Sequence, residues 1–187
     1  ARAEVVGRDV DYKQGDTALQ GYLAYDDSLS GARPGVLVIH QWKGLGDYEK
    51  ERARMLAGLG YVAFAVDIYG KGVRPSTAAD AGREAGKYKG DRALYRARLA
   101  AGLDQLKSDP RVDKARIGAI GYCFGGTGAL ELARSGADIA GVVSFHGALD
   151  NPAPADAMNI RCAVLVLHGA NDPHAPVEQV AAFVKEM

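Results

Sequence analysis

The chain has 187 residues, of which 48% are hydrophobic, and its 23 lysine and arginine residues balance 23 aspartate and glutamate residues. This length suits one domain with one hydrophobic core, and the neutral net charge gives no reason to expect a nucleic-acid or acidic-membrane binder. The sequence also has no apolar run near the roughly 20 residues of a membrane span. We therefore expect a soluble domain, with a small molecule as its partner.

The N-terminus leaves the cellular compartment open. The chain begins Ala1-Arg2-Ala3 without an initiator methionine. A small-x-small triplet is what a signal-peptidase cut leaves on its upstream side, which would indicate a periplasmic or secreted protein. An arbitrary chain boundary or a tag remnant accounts for the same residues, and the protein would then be cytoplasmic.

Strand and helix patterns alternate along the chain. Alternating apolar and polar residues at 5–12 and 17–25 predict an antiparallel hairpin at a sheet edge. Five short apolar runs, typical of strands buried on both faces of a parallel sheet, follow at 35–40, 61–66, 117–121, 139–145 and 163–168. Helical segments separate them, at 47–59, 92–108, 125–134 and from 177 to the end.

This order predicts the fold class: one α/β domain over residues 1–187, with a doubly wound, mostly parallel sheet behind the N-terminal hairpin. In such a sheet the ligand site lies at the carboxyl ends of the strands. Residues 70–91, rich in glycine, alanine and charge, are expected to pass over the rim of that site and to leave room for a short helix.

The strongest local signal is Gly121-Tyr-Cys-Phe-Gly-Gly126, which follows a buried strand and leads into a helix. This is a nucleophile-elbow pattern with Cys123 in the nucleophile position. The turn needs glycine at positions 121 and 125 because a side chain there would clash with the neighbouring strand or helix. A helix N-terminus also favours a thiolate. The alternative is a buried structural cysteine in a tight turn.

Cys162 is a contrast to Cys123. It opens a strand on the far edge of the sheet from the elbow, so we expect neither catalysis by Cys162 nor a disulfide between the two. We interpret both cysteines as free thiols.

Three segments match the dienelactone hydrolase family in order and spacing: the elbow, His40-Gln-Trp-Lys-Gly-Leu45 and His168-Gly-Ala-Asn-Asp-Pro173. The chain resembles that family over nearly its whole length. The resemblance implies an α/β-hydrolase fold and hydrolysis of small ester or lactone substrates, some bearing a carboxylate, without a metal or organic cofactor. We expect a monomer or weak dimer.

The expected triad acid is Asp172, which follows the strand at 163–168. It would orient an imidazole, although an Asp-Pro turn that caps the next helix is the alternative. The Phe124 amide and, by resemblance, the Trp42 amide would form the oxyanion hole. Gln41 stands where family members often carry a glutamate that helps to ionise the cysteine. Gln41 and Tyr122 are expected to line the substrate pocket, with plain packing as the alternative for Tyr122.

The base is the open question, because a Cys-Asp pair needs a histidine to move protons. The chain holds four, at His40, His146, His168 and His174. The resemblance places the base a helix and a strand beyond the acid, whereas the chain ends 15 residues after Asp172. We therefore expect a truncated chain that lacks the last strand and helix of the fold, with about 40 to 60 residues and the base to follow.

Two alternatives to that expectation remain. His40 would be the internal base if the chain is complete, because its strand should neighbour that of Cys123. Otherwise the chain is a catalytically silent binding protein that keeps the fold. A thiol-redox function is weakened by the lack of a Cys-x-x-Cys pattern.

The substrate side of the sequence is basic. Seven cationic side chains fall in residues 74–98, namely Arg74, Arg83, Lys87, Lys89, Arg92, Arg96 and Arg98. Such a cluster suits an acidic substrate, and a solvated surface is the alternative.

Overall fold

The computed structural model describes residues 4–172 and 176–187, in which seven strands form one sheet. The strands are β1 (Val5–Gln14), β2 (Thr17–Asp26), β3 (Arg33–Ile39), β4 (Val62–Val66), β5 (Val112–Tyr122), β6 (Gly141–Phe145) and β7 (Ala163–Leu167). The helices are α1 (Asp47–Gly58), α2 (Ala78–Gly90), α3 (Arg92–Lys107), α4 (Phe124–Arg134) and α5 (Val177–Glu186), with a 3₁₀ helix at Pro154–Asn159.

The strand order is β1-β2-β4-β3-β5-β6-β7. Strands β1 and β2 form the antiparallel hairpin at one edge, β2 pairs antiparallel with β4, and every later pairing is parallel. The predicted mostly parallel sheet with an N-terminal hairpin is confirmed. Because β3 and β5 are parallel neighbours, the loops that follow them lie side by side at the carboxyl ends of the strands.

Helices cover both faces of the sheet. On one face Ala53 and Ala57 of α1 share a buried cluster with Ala63 and Ala65 of β4, and these small side chains let the helix approach closely. The opposite face carries α3 and α4 over a larger cluster that includes Phe64, Leu99 and Phe124. This two-faced burial explains the continuously apolar strand sequences.

Two elements differ from expectation. Strand β5 begins at Val112, before the predicted apolar run, because Arg33 and Pro34 extend its pairing to Val112 and Asp113 beyond a register irregularity. Helix α2 has 13 residues and is not short. Thr77 caps it by accepting a hydrogen bond from the Asp80 N–H at 3.1 Å. Both segments are rich in polar residues, so neither forms an apolar run in the sequence.

Within the described residues, no helix has the length and apolar character needed to cross a membrane.

Close packing of α3 on the sheet gives a test of the fold. A Cβ on Gly102 of α3 would lie well under 3.0 Å from Cγ2 of Val66, whereas a Cβ on Gly86 of α2 would meet nothing within 4 Å. We expect Gly102→Ala to lower the free energy of unfolding by about 1–3 kcal/mol through overpacking. Gly86→Ala, the matched control, should raise it by about 0.5–1 kcal/mol through helix propensity. Urea unfolding of both variants measures the difference, and equal effects of the two substitutions would contradict the packing.

Candidate active site

Cys123 connects β5 to α4 in a backbone conformation that side chains rarely adopt. Its φ is 56° and its ψ is −116°. The Cys123 N–H donates to the Phe145 carbonyl at 2.9 Å, and its carbonyl accepts from the Gly126 N–H at 2.9 Å. A non-glycine residue with positive φ is strained and persists because its surroundings hold it, a feature that clusters at functional sites.

Three glycines make this turn possible. A Cβ on Gly121 would lie well under 3.0 Å from the Gly125 carbonyl oxygen, and one on Gly125 would lie well under 3.0 Å from the Ile39 carbonyl oxygen. A Cβ on Gly126 would lie 2.8 Å from Oγ of Ser144. The first turn of α4 therefore packs directly on the backbone at the ends of β5 and β3.

Cys123 directly precedes the first amide of α4. Helix α4 begins at Phe124, whose amide is one of the first N–H groups of a helix, which lack an intrahelical acceptor. Cys123 is the N-cap residue and lies at the positive end of the helix dipole.

The loop that carries Gln41 and Trp42 follows β3 and is fixed to α1 by Glu49. Both carboxylate oxygens of this buried residue accept backbone N–H groups, from Gln41 at 3.3 Å and from Gly46 at 2.9 Å. Sequence reasoning missed this role. A glutamate three residues after a helix N-cap is the second half of a capping box and was a usable signal.

His40 is fully buried at the end of β3. Its Nε2 accepts the Ile68 N–H at 3.2 Å, so Nδ1 carries the proton and donates it to the Gln41 carbonyl at 2.6 Å. Burial lowers the pKa of His40, which favours this neutral ring. Because both ring nitrogens are engaged, His40 has no free nitrogen with which to take the thiol proton, and the interpretation of His40 as the base loses its geometric support.

Two buried tyrosines hold the residues expected to form the oxyanion hole. The Tyr69 hydroxyl donates to the Trp42 carbonyl at 2.8 Å, and the Tyr95 hydroxyl donates to the Phe124 carbonyl at 2.8 Å. The Tyr69 ring also contacts the rings of His40 and Phe124, with centroids 4.7 Å and 5.5 Å away. Nothing local in the sequence distinguishes these tyrosines from ordinary core aromatics.

A cleft of about 740 Å³ lies beside this loop, and the residues that line it include Gln41, Trp42, Tyr48 and Arg74. Tyr122 borders it indirectly, because its ring packs edge-on against Tyr48 with centroids 5.4 Å apart. The other side of the Tyr122 ring stacks on Phe145 at 4.8 Å. The expected pocket residue Gln41 thus lines the cleft. Tyr122 does not line it but packs between Tyr48, which does, and Phe145.

Asp172 lies in the loop after β7. Like Cys123, it is at the carboxyl ends of the parallel strands, and β7 is two strands away from β5. Its N–H donates to the Gly169 carbonyl at 3.1 Å. His146 and His168 follow β6 and β7 directly, and His174 lies outside the described residues. No cluster of three or more potential metal ligands occurs in the part of the chain that the structure describes.

Most of the basic stretch is committed to protein partners. Arg92 pairs with Asp150 at 2.6 Å, Arg96 with Glu131 at 2.8 Å, and the buried Arg98 donates to Thr17 at 2.9 Å. Arg83 pairs with Asp80, and the Lys87 ammonium lies over the Tyr88 ring. Arg74 also has protein partners, because its Nη1 donates to the Val73 carbonyl at 2.8 Å and lies 3.5 Å from the buried carboxylate of Asp67, but unlike the other six it lines the cleft.

Cys162 lies at the amino end of β7, the edge strand, whereas Cys123 lies at the carboxyl end of β5. Both are free thiols. Partial burial raises the pKa of the Cys162 thiol, which keeps it protonated near neutral pH and weakly nucleophilic.

Known proteins share this architecture. A solved structure described as a dienelactone hydrolase-like promiscuous phosphotriesterase from metagenomic libraries superposes with a TM-score of 0.91 at 43% identity, over 97% of this chain and 76% of that one. A probable 2-oxo-3-(5-oxofuran-2-ylidene)propanoate lactonase of Bradyrhizobium is 31% identical, over 85% of this chain and 67% of that protein. An uncharacterised protein of Caenorhabditis elegans is 41% identical over 95 residues, and the match spans 48% of this chain and 58% of the nematode protein.

The model of the dienelactone hydrolase family matches residues 19–187, from the second strand of the hairpin to the last residue. This match includes the elbow, the loop after β3 and the loop that carries Asp172. The sheet order and the close structural relatives agree with it. The chain therefore belongs to the dienelactone hydrolase family and has the α/β-hydrolase fold.

Proposed function

We propose that the protein hydrolyses small esters or lactones through an acyl-thioester on Cys123. The observation that carries this proposal is the strained backbone of Cys123 at the N-terminus of α4. A binding protein that had lost catalysis would gain nothing from holding a cysteine at positive φ, whereas a nucleophile needs its sulfur exposed at the sheet edge.

The reaction proceeds in two steps. The Cys123 thiolate attacks the ester carbonyl carbon, a C–S bond forms, and the carbonyl electrons move to oxygen. Collapse of this tetrahedral intermediate expels the alcohol oxygen, which takes a proton from an imidazolium and leaves a thioester. A water molecule, deprotonated by the imidazole, then attacks the thioester and releases the acid and the thiol. These steps consume no metal or organic cofactor.

The Trp42 and Phe124 amides are assigned to the oxyanion of that intermediate. They follow the adjacent strands β3 and β5, and the contact of Gly125 with the Ile39 backbone brings the two segments together. Backbone donors held in advance cost no reorganisation when charge develops on the oxygen. The assigned acid is Asp172, which would orient the imidazole of a histidine other than His40.

Arg74 is the residue we assign to a substrate carboxylate. Arg74 lines the cleft together with Gln41 and Trp42, and its side chain is 31% exposed. The lactonase relative acts, by its name, on a propanoate, which is a carboxylate-bearing lactone. A planar guanidinium holds such an anion with paired hydrogen bonds.

A second candidate reaction is phosphotriester cleavage at the same site, favoured by the 43% identity to a phosphotriesterase over 97% of this chain. Attack of the thiolate on phosphorus would expel an aryloxide and leave a phosphorylated cysteine, and water would then cleave the S–P bond to release the phosphodiester and restore the thiol. The same amides would bind the phosphoryl oxygen, so paraoxon turnover is assayed beside ester turnover.

Replacement of the nucleophile tests the proposal. We expect Cys123→Ala to lower kcat/KM for p-nitrophenyl acetate by on the order of 10³-fold or more, because the proposed covalent intermediate forms on the Cys123 sulfur. The assay uses the full-length gene product. Cys162→Ala is the matched control and should leave turnover unchanged. Wild-type rates in the Cys123 variant would exclude Cys123 as the nucleophile, and no turnover in the wild type would favour the silent binding protein.

The elbow geometry gives a second test. Gly121→Ala places a Cβ against the Gly125 carbonyl and must displace Cys123, whereas a Cβ on Gly118, three residues earlier in β5, lies at an ordinary 3.4 Å from the Gly141 carbonyl. A displacement of the nucleophile by about 1 Å should lower kcat about 10²-fold. Gly118→Ala should keep both kcat and the far-UV circular dichroism spectrum. Full activity in Gly121→Ala would mean that the turn does not position the nucleophile.

A further inference from the structure

The Trp42 amide lies on an irregular loop, unlike the Phe124 amide, which the first turn of α4 holds in place. A loop amide aims at one point only if the peptide units on both sides of its Cα are fixed. Each unit is planar, so its carbonyl and its N–H point in opposite directions. Anchoring a carbonyl therefore sets the direction of the N–H that belongs to the same unit.

Each of the two peptide units that flank the Cα of Trp42 accepts a hydrogen bond from a buried side chain. The Gln41 carbonyl shares its peptide unit with the Trp42 N–H, and it accepts the Nδ1–H of His40 at 2.6 Å. The Trp42 carbonyl belongs to the next unit and accepts the Tyr69 hydroxyl at 2.8 Å. The two anchors contact each other, with ring centroids 4.7 Å apart.

The anchors are themselves fixed by the core. His40 is fully buried, and its Nε2 accepts the N–H of Ile68, two residues after β4. The Tyr69 ring is 4% exposed and lies between His40 and Tyr88. A donor to the Gln41 carbonyl also polarises the peptide unit and strengthens its N–H as a hydrogen-bond donor.

We propose that His40 and Tyr69 are positioning residues that fix the two peptide units around Trp42 and so aim the Trp42 N–H at the oxyanion. This inference rests on the proposed function, because it assigns no chemistry of its own to either side chain. It gives the buried histidine after β3 a role in transition-state binding without any proton transfer.

The first test compares His40→Asn with His40→Leu in the full-length protein. The two replacements have nearly the same shape, and both remove Nε2, but the asparagine amide can still donate from near the position of Nδ1. We expect kcat for p-nitrophenyl acetate to fall about 10²-fold in His40→Leu and to recover about tenfold in His40→Asn. KM should stay near its wild-type value in both variants.

The second test uses Tyr69→Phe, which keeps the ring and removes only the hydroxyl. Tyr22→Phe is the matched control, because Tyr22 is also 4% exposed, packs on the other face of the sheet, and has a hydroxyl without a hydrogen-bond partner among the described residues. We expect Tyr69→Phe to lower kcat about tenfold and Tyr22→Phe to leave it unchanged. This pair decides the inference if the His40 variants fail to fold.

An inhibitor that forms a tetrahedral adduct distinguishes a change in the direction of the Trp42 N–H from a loss of protein stability. A trifluoromethyl ketone adds to the thiolate and places its oxyanion in the same hole, so its inhibition constant should rise with the loss of kcat/KM in each variant. Equal losses in His40→Asn and His40→Leu together with equal activities of Tyr69→Phe and Tyr22→Phe would overturn the inference, as would changes confined to KM. Wild-type activity in Cys123→Ala would instead overturn the proposed function.

Discussion

The structure of the site depends on one packing constraint: the first turn of α4 approaches the backbone of β3 and β5 more closely than any side chain would permit. Glycines at 121 and 125 leave that space open, and Gly126 permits a similar close contact with Ser144 of β6. The contact holds Cys123 at positive φ and brings the loop after β3 next to the N-terminus of α4. In the proposed mechanism, this contact sets Cys123 close to the two backbone amides that would bind the oxyanion.

Around that contact, buried polar groups organise the loop after β3. Glu49 holds its N–H groups, while His40 and Tyr69 hold its carbonyls. Each of these side chains is buried and satisfied through the backbone of the loop, so displacing the loop would leave unpaired polar groups in the core. The loop is therefore fixed by the cost of unsatisfied hydrogen bonds as well as by apolar packing.

Much of this could be predicted from the sequence because the relevant signals are local. The elbow needs glycines at fixed spacing around Cys123, and β3 needs a continuous apolar run; both patterns can be seen within ten residues. The full length of helix α2 and the start of β5 were not predicted, because their sequences are polar. Capping forms the helix, and cross-strand pairing forms the start of the strand. The role of Tyr69 comes from a contact 27 residues away in sequence, which no local pattern encodes.

The most direct measurement is the mass of the acyl-enzyme. The full-length protein is mixed with a slowly deacylating ester, quenched in acid and digested, and the peptide that contains Cys123 is analysed by mass spectrometry. We expect the acyl group on that peptide alone, bound as a thioester that hydroxylamine removes. An acyl group on another residue, or steady turnover with no covalent adduct under conditions that trap thioesters, would contradict the account.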